Sequence, residues 1–207
     1  MRLTEMELDL LKEAFNAGAG MAAGVLEELT GGGHEIMLSV PEVHMIGFAE
    51  LEERIGVNPT EEFTAVIQDF VGPFGGTAML LYSATESLEL VRALLREESA
   101  SEELPVLQAD ALREVGNVVL NASLGGIGQM LNTSFETGLP ALKSGHCQEI
   151  FADGAGHSAG HELLYMRMRF ALSAPSVAGQ LGFSLDMRNG DALQTCLSDF
   201  LKTMGGA

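Results

Sequence analysis

The stretch DALREVGN, residues 110–117, is nearly repeated by DLLKEAFN, residues 9–16. Each copy has an aspartate, a glutamate four residues later and an asparagine three residues after that. Such steps place side chains on one face of an α-helix. Because the residues between them are mostly apolar or small, each copy predicts a helix that buries one side and presents a polar line. The aligned polar residues are Asp9, Glu13 and Asn16 in one copy, and Asp110, Glu114 and Asn117 in the other.

A proline follows each asparagine at a nearly constant distance. Twenty-two residues separate Asn117 from Pro140, and 24 separate Asn16 from Pro41. One such pattern with a fixed proline is expected by chance in about one of several hundred chains at average residue usage. Two near-copies therefore indicate an internal repeat.

The predicted secondary structure repeats in the same order. Helical periodicity and the capping boxes Thr4/Glu7 and Ser83/Glu86 mark helix starts, whereas glycine and proline mark turns. The first half is predicted to contain a helix at 4–30, strands at 34–40, 63–70 and 77–82, a short helix at 47–55 and a helix at 83–98. The second half is predicted to contain a helix at 105–131, a strand at 133–139, a Gly/His-rich loop, strands at 163–172 and 177–185 and a helix at 187–202.

These elements predict an α+β fold with an antiparallel sheet of six strands. We expect one domain made of repeat one, about residues 4–98, and repeat two, about residues 105–203. An acidic joint at about 96–104 connects them. The halves are expected to share a core, because each has about a hundred residues while its sheet needs a covering layer.

The charge composition excludes some classes of binding partner. Eleven Lys and Arg residues against 29 Asp and Glu residues give a net charge of −18. Such a surface repels nucleic acid and anionic membranes, so we expect neither as a partner. The sequence contains no run of 18 or more apolar residues and starts with an acidic, amphipathic segment, so we expect neither a transmembrane helix nor a secretory signal. Cys147 and Cys196 lie far apart and fit reduced thiols, so we expect a cytoplasmic protein.

The repeated motif resembles the active-site signature [DS]-x-x-x-E-x-x-N-x(22)-P of the CheC, CheX and FliY phosphatases of chemotaxis. The copy ending at Pro140 matches every position, and the copy ending at Pro41 has two additional residues. Two copies and the chain length most resemble CheC. The resemblance implies a pseudo-two-fold fold with both long helices on one face of the sheet, and hydrolysis of the aspartyl phosphate of a CheY-like receiver.

The same resemblance implies roles for individual residues. Asn16 and Asn117 would orient the attacking water, and Glu13 and Glu114 would pair with a lysine of the receiver. Asp9, Asp110, Pro41 and Pro140 would be supporting residues. We expect no cofactor on this chain, because the receiver supplies its own Mg²⁺. His157 and His161 have helical spacing, but the glycines around them predict a loop, so we expect no metal site.

Two other functions remain open from the sequence. The chain could be a binding module for a phosphorylated receiver or for a CheD-type deamidase, a partnership implied by the resemblance alone. It could also be a CheC-like homodimer that acts on a receiver outside chemotaxis. Retention of both Glu–Asn pairs favours the enzyme, because a pure adaptor does not need the carboxamide.

Overall fold

The structure, a computed structural model, describes residues 3–31, 35–47, 50, 53, 60–95, 104–152, 162–172, 178–186 and 190–205. Within these ranges the helices are α1 (Glu5–Leu29), α2 (Ala84–Leu95), α3 (Leu104–Met130), α4 (Cys147–Ala152) and α5 (Gly190–Gly205). The strands are β1 (Ile36–Leu38), β2 (Glu42–Gly47), β3 (Glu62–Val71), β4 (Gly76–Ser83), β5 (Glu136–Thr137), β6 (Ala141–His146), β7 (Glu162–Leu172) and β8 (Ala178–Asp186).

All eight strands form one antiparallel sheet in which the two halves of the chain exchange their edges. The order is β1-β7-β8-β4-β3-β5, with β2 also on β7 and β6 also on β3. The first strands of repeat one therefore pair with repeat two, and the first strands of repeat two pair with repeat one. At the centre β4 pairs with β8, so exchanging the two repeats leaves the pairing pattern unchanged. The α+β antiparallel fold class is confirmed.

Both edges of the sheet continue beyond the motif prolines, which corrects the predicted strand bounds. The strand predicted at 34–40 is limited to Ile36–Leu38, and the strand predicted at 133–139 is limited to Glu136–Thr137. After each proline a second strand, β2 or β6, pairs with the same neighbour. A proline cannot donate to the ladder, so it interrupts an edge strand without ending its pairing.

Two further predictions differ from the structure. The Gly/His-rich segment after Pro140, predicted as a loop, begins with β6 and the short helix α4. Gly47, predicted to start a helix, is the last residue of β2. Most of the predicted helix at 47–55, the joint at 96–103 and the histidines His157 and His161 lie outside the described residues.

One face of the sheet carries the main core. α1 and α3 both lie there, and their buried side chains form one apolar cluster with both halves of the sheet. Phe15 of α1 makes an edge-to-face contact with Phe183 of β8, with ring centroids 5.3 Å apart. The opposite face holds a smaller cluster that includes Tyr165 and, from α4, Ile150 and Phe151. The two long helices are thus fixed side by side on the sheet.

The start of α1 is capped as the sequence predicts. Thr4 and Glu7 form both bonds of a capping box, with Thr4 N donating to Glu7 Oε2 at 2.8 Å. Ser198 Oγ of α5 donates to Glu7 Oε1 at 2.9 Å, which joins the two helices. The backbone bond from Thr4, outweighing the opposing effect of burial, and the Ser198 bond hold the pKa of Glu7 below its usual value.

Small residues let α1 and α3 approach closely. A Cβ atom built on Gly126 would lie 2.7 Å from Gly18 Cα and 3.0 Å from Ala17 O, so the two backbones leave no room for a side chain there. The neighbouring Gly125 faces open space. The glycines after the motif asparagines therefore serve, at Gly18 and Gly126, a close approach within the fold.

Candidate functional site

The second site consists of Glu114, Asn117 and Pro140. Glu114 is exposed and Asn117 is half-buried, one turn further along α3. Pro140 lies directly before β6, and the preceding Leu139 is 94% exposed. The side chain of Glu114 bonds to no other residue in the described part of the chain, so its carboxylate is available to a partner.

A chain of amide and hydroxyl groups fixes the carboxamide of Asn117. Asn121 Nδ2 donates to Asn117 Oδ1 at 2.8 Å, and Gln68 Nε2 of β3 donates to the same oxygen at 3.3 Å. Gln68 Nε2 also donates to Gly138 O at 2.9 Å, and Thr137 Oγ1 donates to Asn121 Oδ1 at 2.9 Å. The asparagine and the turn before Pro140 are therefore held together by Gln68.

The network determines which end of the Asn117 carboxamide faces inward. Asn121 Nδ2 also donates to the backbone oxygen of Asn117 at 2.7 Å, and Gln68 Nε2 is directed at the carbonyl of Gly138. Backbone carbonyls only accept, so both neighbouring amides must present their NH₂ groups here. The atom of Asn117 that meets these two donors must be its oxygen. Its Nδ2 donates to none of the described residues and is the end left for a partner.

The first site consists of Glu13, Asn16 and Pro41. These residues line one groove of about 380 Å³ together with Lys12 of α1 and 38–40 of the adjoining edge. Glu13 and Asn16 are exposed, and their side chains bond to no other described residue. Val40, directly before the proline, is 82% exposed, as Leu139 is in the second site.

An ion pair between a buried arginine and a half-buried glutamate anchors the strand that follows Pro41. Arg167 of β7 donates from Nη2 to Glu42 Oε2 at 2.8 Å, directly across the β2–β7 pair. Partial burial acts to raise the pKa of Glu42, but the bonds and charges of Arg167 and His44 outweigh it and hold that pKa below its usual value. The edge beside the first site is therefore fixed to the neighbouring strand β7.

The two sites differ in what surrounds the asparagine. The bond from Gly138 N to Asp69 O has its counterpart in the bond from Ser39 N to Arg169 O, both at 2.9 Å, which aligns the repeats residue by residue. In that alignment the partners of Asn117 have no polar counterparts. Met168, Gly20 and Leu38 occupy the positions of Gln68, Asn121 and Thr137. The carboxamide is thus held by side chains in the second site only.

The two additional residues of the first copy lie before its edge strand. α1 ends at Leu29 and α3 ends at Met130, each 13 residues after its asparagine. Leu38 pairs with Phe170 and Thr137 pairs with Phe70, each three residues before its proline. Nine positions lead from Leu29 to Leu38 but only seven from Met130 to Thr137, so the insertion is absorbed between helix and strand.

Asp9 and Asp110 occupy the same position in the two sites. Asp9 Oδ1 lies 3.5 Å from Lys12 Nζ, and Asp110 Oδ1 lies 2.9 Å from Arg113 Nη1. Both pairs are exposed, so each stabilises its helix by less than about 1 kcal/mol. In each site the aspartate offsets the positive charge of the basic residue that directly precedes the motif glutamate.

Sequence reasoning missed Gln68, Asn121 and Thr137. Asn121 continues the polar line of α3 by one more step of four residues, which was a usable signal. Gln68 interrupts the apolar alternation of β3 and is only 1% exposed, and a buried amide in a strand requires partners. Thr137 gave no signal, because its role depends on the chain returning beside Asn121, 16 residues earlier.

Other site chemistry is sparse in the described part of the chain. No group of three or more His, Cys, Asp or Glu residues there is arranged to hold a metal ion. Cys147 is buried, Cys196 is half-buried, and no disulfide bond joins the two. The helices that the structure describes are all too short or too polar to cross a membrane.

Comparison with known proteins shows which solved structures share this fold. No family model matches the chain. The crystal structure of FliY from Thermotoga maritima is similar with a TM-score of 0.74 and 15% identity, over 98% of this chain and 99% of that one. The FliM middle domain from H. pylori gives 0.63 and 11%, over 94% and 99%. CheX from Borrelia burgdorferi, crystallised with CheY, BeF₃ and Mg²⁺, gives 0.56 and 20%, over 84% and 96%.

At these identities the likeness is one of fold. The chain has the CheC/FliY-like α+β fold, which FliY, CheX and the FliM middle domain share. The FliY structure is matched over nearly its whole length, so length does not separate this chain from it. That the chain is closer to CheC than to the others stays a prediction.

Proposed function

We propose that this protein hydrolyses the aspartyl phosphate of a CheY-like receiver, with Glu13 and Asn16 acting at one site and Glu114 and Asn117 at the other. One observation carries the proposal. At two equivalent places an exposed glutamate and an accessible asparagine lie one turn apart on a helix, beside the turn that precedes a proline. The fold shared with FliY and CheX, and the matching motif, support it.

The reaction requires little from the phosphatase. Water attacks the phosphorus, and the bond from phosphorus to the aspartyl oxygen breaks with its electron pair passing to the aspartate. The receiver keeps the free carboxylate, and the released H₂PO₄⁻ carries both protons of the water. The receiver contributes Mg²⁺ and a lysine near the phosphoryl group. Catalysis by this chain therefore consists of placing the water in line.

A carboxamide is suited to that role. In the second site Asn117 Oδ1 already accepts two internal bonds, so Nδ2 is the group that would meet the water or a phosphoryl oxygen. A water that accepts from Nδ2 keeps a lone pair for the attack. Because the donor is fixed before the receiver arrives, little reorganisation accompanies the reaction.

The glutamates would set the register of docking. Each lies one turn before its asparagine and is exposed, so a lysine of the receiver can pair with it while the asparagine enters the phosphorylation pocket. The exposed Val40 and Leu139 would border the same contact. CheX crystallised with CheY, BeF₃ and Mg²⁺ supports a CheY-like partner for this fold, since BeF₃ is a phosphoryl mimic.

A binding module without turnover is the second candidate. The fold shared with the FliM middle domain favours it, because the fold alone does not imply the reaction. In that case the protein would hold the phosphorylated receiver, or a CheD-type deamidase, and leave its phosphate in place. CheD as a partner stays a prediction.

Charge reversal at the glutamates tests the docking role. Glu13→Lys combined with Glu114→Lys is expected to raise the KM for a phosphorylated CheY-like receiver by at least about tenfold, because attraction to the receiver lysine becomes repulsion. The measurement is the initial rate of phosphate release against receiver concentration.

A charge-matched control separates docking from net charge. Glu5→Lys combined with Glu28→Lys makes the same change at exposed positions of α1 outside both sites. This control is expected to keep the wild-type KM within about twofold. Equal KM values for the two double variants would contradict the assigned role of Glu13 and Glu114.

A further inference from the structure

We propose that Gln68 and Asn121 are positioning residues, which lock the Asn117 carboxamide with its oxygen inward and make its amide hydrogens the reacting surface of the second site. This inference deepens the proposed function and rests on it for its kinetic consequences. The orientation itself does not depend on the receiver.

The lock has two independent parts. Gln68 reaches Asn117 from the strand beneath and is itself directed by the carbonyl of Gly138. Asn121 reaches it from the next helical turn and is directed by the backbone of Asn117 and the hydroxyl of Thr137. Rotating the carboxamide by half a turn would bring NH₂ against two NH₂ groups, so both parts oppose the same movement.

The side chain of Gln68 is a buried amide. Gln68 is 1% exposed, and its Oε1 meets no hydrogen-bond partner among the described residues. Leaving a buried amide oxygen unpaired is costly, and an apolar side chain would avoid that cost. The equivalent position in the other repeat is Met168, also buried. A glutamine at this position is therefore explained by its two donated bonds, one of which ends on Asn117.

A locked donor has a kinetic signature. It changes the rate of the chemical step but does not affect docking, which depends on Glu114. Its loss should therefore lower kcat and leave KM unchanged. The first site has Met168, Gly20 and Leu38 in place of the lock, so its Asn16 is unrestrained before docking. The second site is thus the preorganised one.

The experiment uses the full chain with the first site silenced by Asn16→Ala. In that background Gln68→Met and Asn121→Ala are each expected to lower kcat by about tenfold with KM unchanged. Met and a small residue occupy the equivalent places in the other repeat, so this sheet and helix accept them. Gln108→Met is the matched control, and it should keep kcat. Among the described residues, the side-chain amide of Gln108 on α3 donates to Ser87 Oγ alone.

A double-mutant cycle separates positioning from general packing. Once Asn117→Ala has removed the carboxamide, adding Gln68→Met should lower the residual rate no further. Asn117→Asp should be as inactive as Asn117→Ala, because it keeps the inward oxygen and loses the outward NH₂. An Asn117→Asp variant that retains half the activity, or a Gln68→Met effect that persists without Asn117, would overturn the inference.

Side-chain NMR tests the lock without any receiver. The side-chain ¹⁵N–¹H₂ resonances of Asn117 can be identified by their loss in Asn117→Ala. Their order parameters should be high in the wild type and lower in Gln68→Met and Asn121→Ala. Equal order in all three proteins overturns the lock. If the order falls as expected but no variant, nor the wild type, dephosphorylates a receiver, the proposed function fails while the lock stands.

Discussion

Alanine at both Asn16 and Asn117 is expected to return a phosphorylated CheY-like receiver to its unassisted rate of decay. The two carboxamides are the only groups assigned to the attacking water, and removing a preorganised donor typically costs about 100-fold or more in rate. The measurement is the decay of labelled phosphoryl-receiver with the wild type and with the double variant. Full activity of the double variant would contradict the site assignment.

The two single variants should lose different amounts of activity. Asn117→Ala is expected to remove most of the activity and Asn16→Ala a smaller part. The second site matches the motif spacing and holds its carboxamide through Gln68 and Asn121, whereas Asn16 has no such partners. As a control for docking, all three variants should bind a BeF₃-loaded receiver nearly as well as the wild type, since both glutamates remain.

Two adjacent glycines are expected to give stability changes of opposite sign. Gly126→Ala should destabilise the protein by about 1–3 kcal/mol, because the added Cβ would overlap the Gly18 backbone where α1 crosses α3. Gly125→Ala should stabilise it by up to about 1 kcal/mol, because that position is open and alanine favours the helix.

Urea denaturation followed by circular dichroism measures both changes. The pair is its own control, since the two substitutions add the same methyl group to neighbouring residues of one helix. A shift of the same sign for both variants would contradict the helix crossing described for α1 and α3.

Local signals predicted much of the fold. The capping boxes at Thr4/Glu7 and Ser83/Glu86 are formed as expected, with Ser83 N donating to Glu86 Oε2 at 2.8 Å. The four central strands and the long helices appear within about three residues of their predicted bounds in the described ranges. Helix periodicity and caps are local properties, so a single sequence contains them.

Pairing between distant segments of the chain was harder to predict from the sequence. Pro41 and Pro140 were expected to end strands, yet pairing resumes after each at Glu42 and Ala141. Whether a chain continues along an edge depends on the partner strand, which the local sequence does not specify. The exchange of edges between repeats is hidden for the same reason.

The candidate site was predicted in part. The accessible Glu–Asn lines follow from helix geometry, and the structure leaves both glutamates exposed. The contribution of Gln68 could not be predicted, because it requires β3 to lie beneath Asn117 and beside Gly138. The motif therefore gave the groups that would meet the receiver, while the structure alone gave the groups that orient them.

Turnover is the most direct test of the central claim. A labelled phosphoryl-receiver in about twentyfold excess is mixed with the wild-type protein, and released phosphate is counted over time. If a carboxamide on each long helix places the attacking water, each molecule of protein should release many molecules of phosphate. Release that is no faster than from the receiver alone, or slower because the receiver is merely held, would contradict the account.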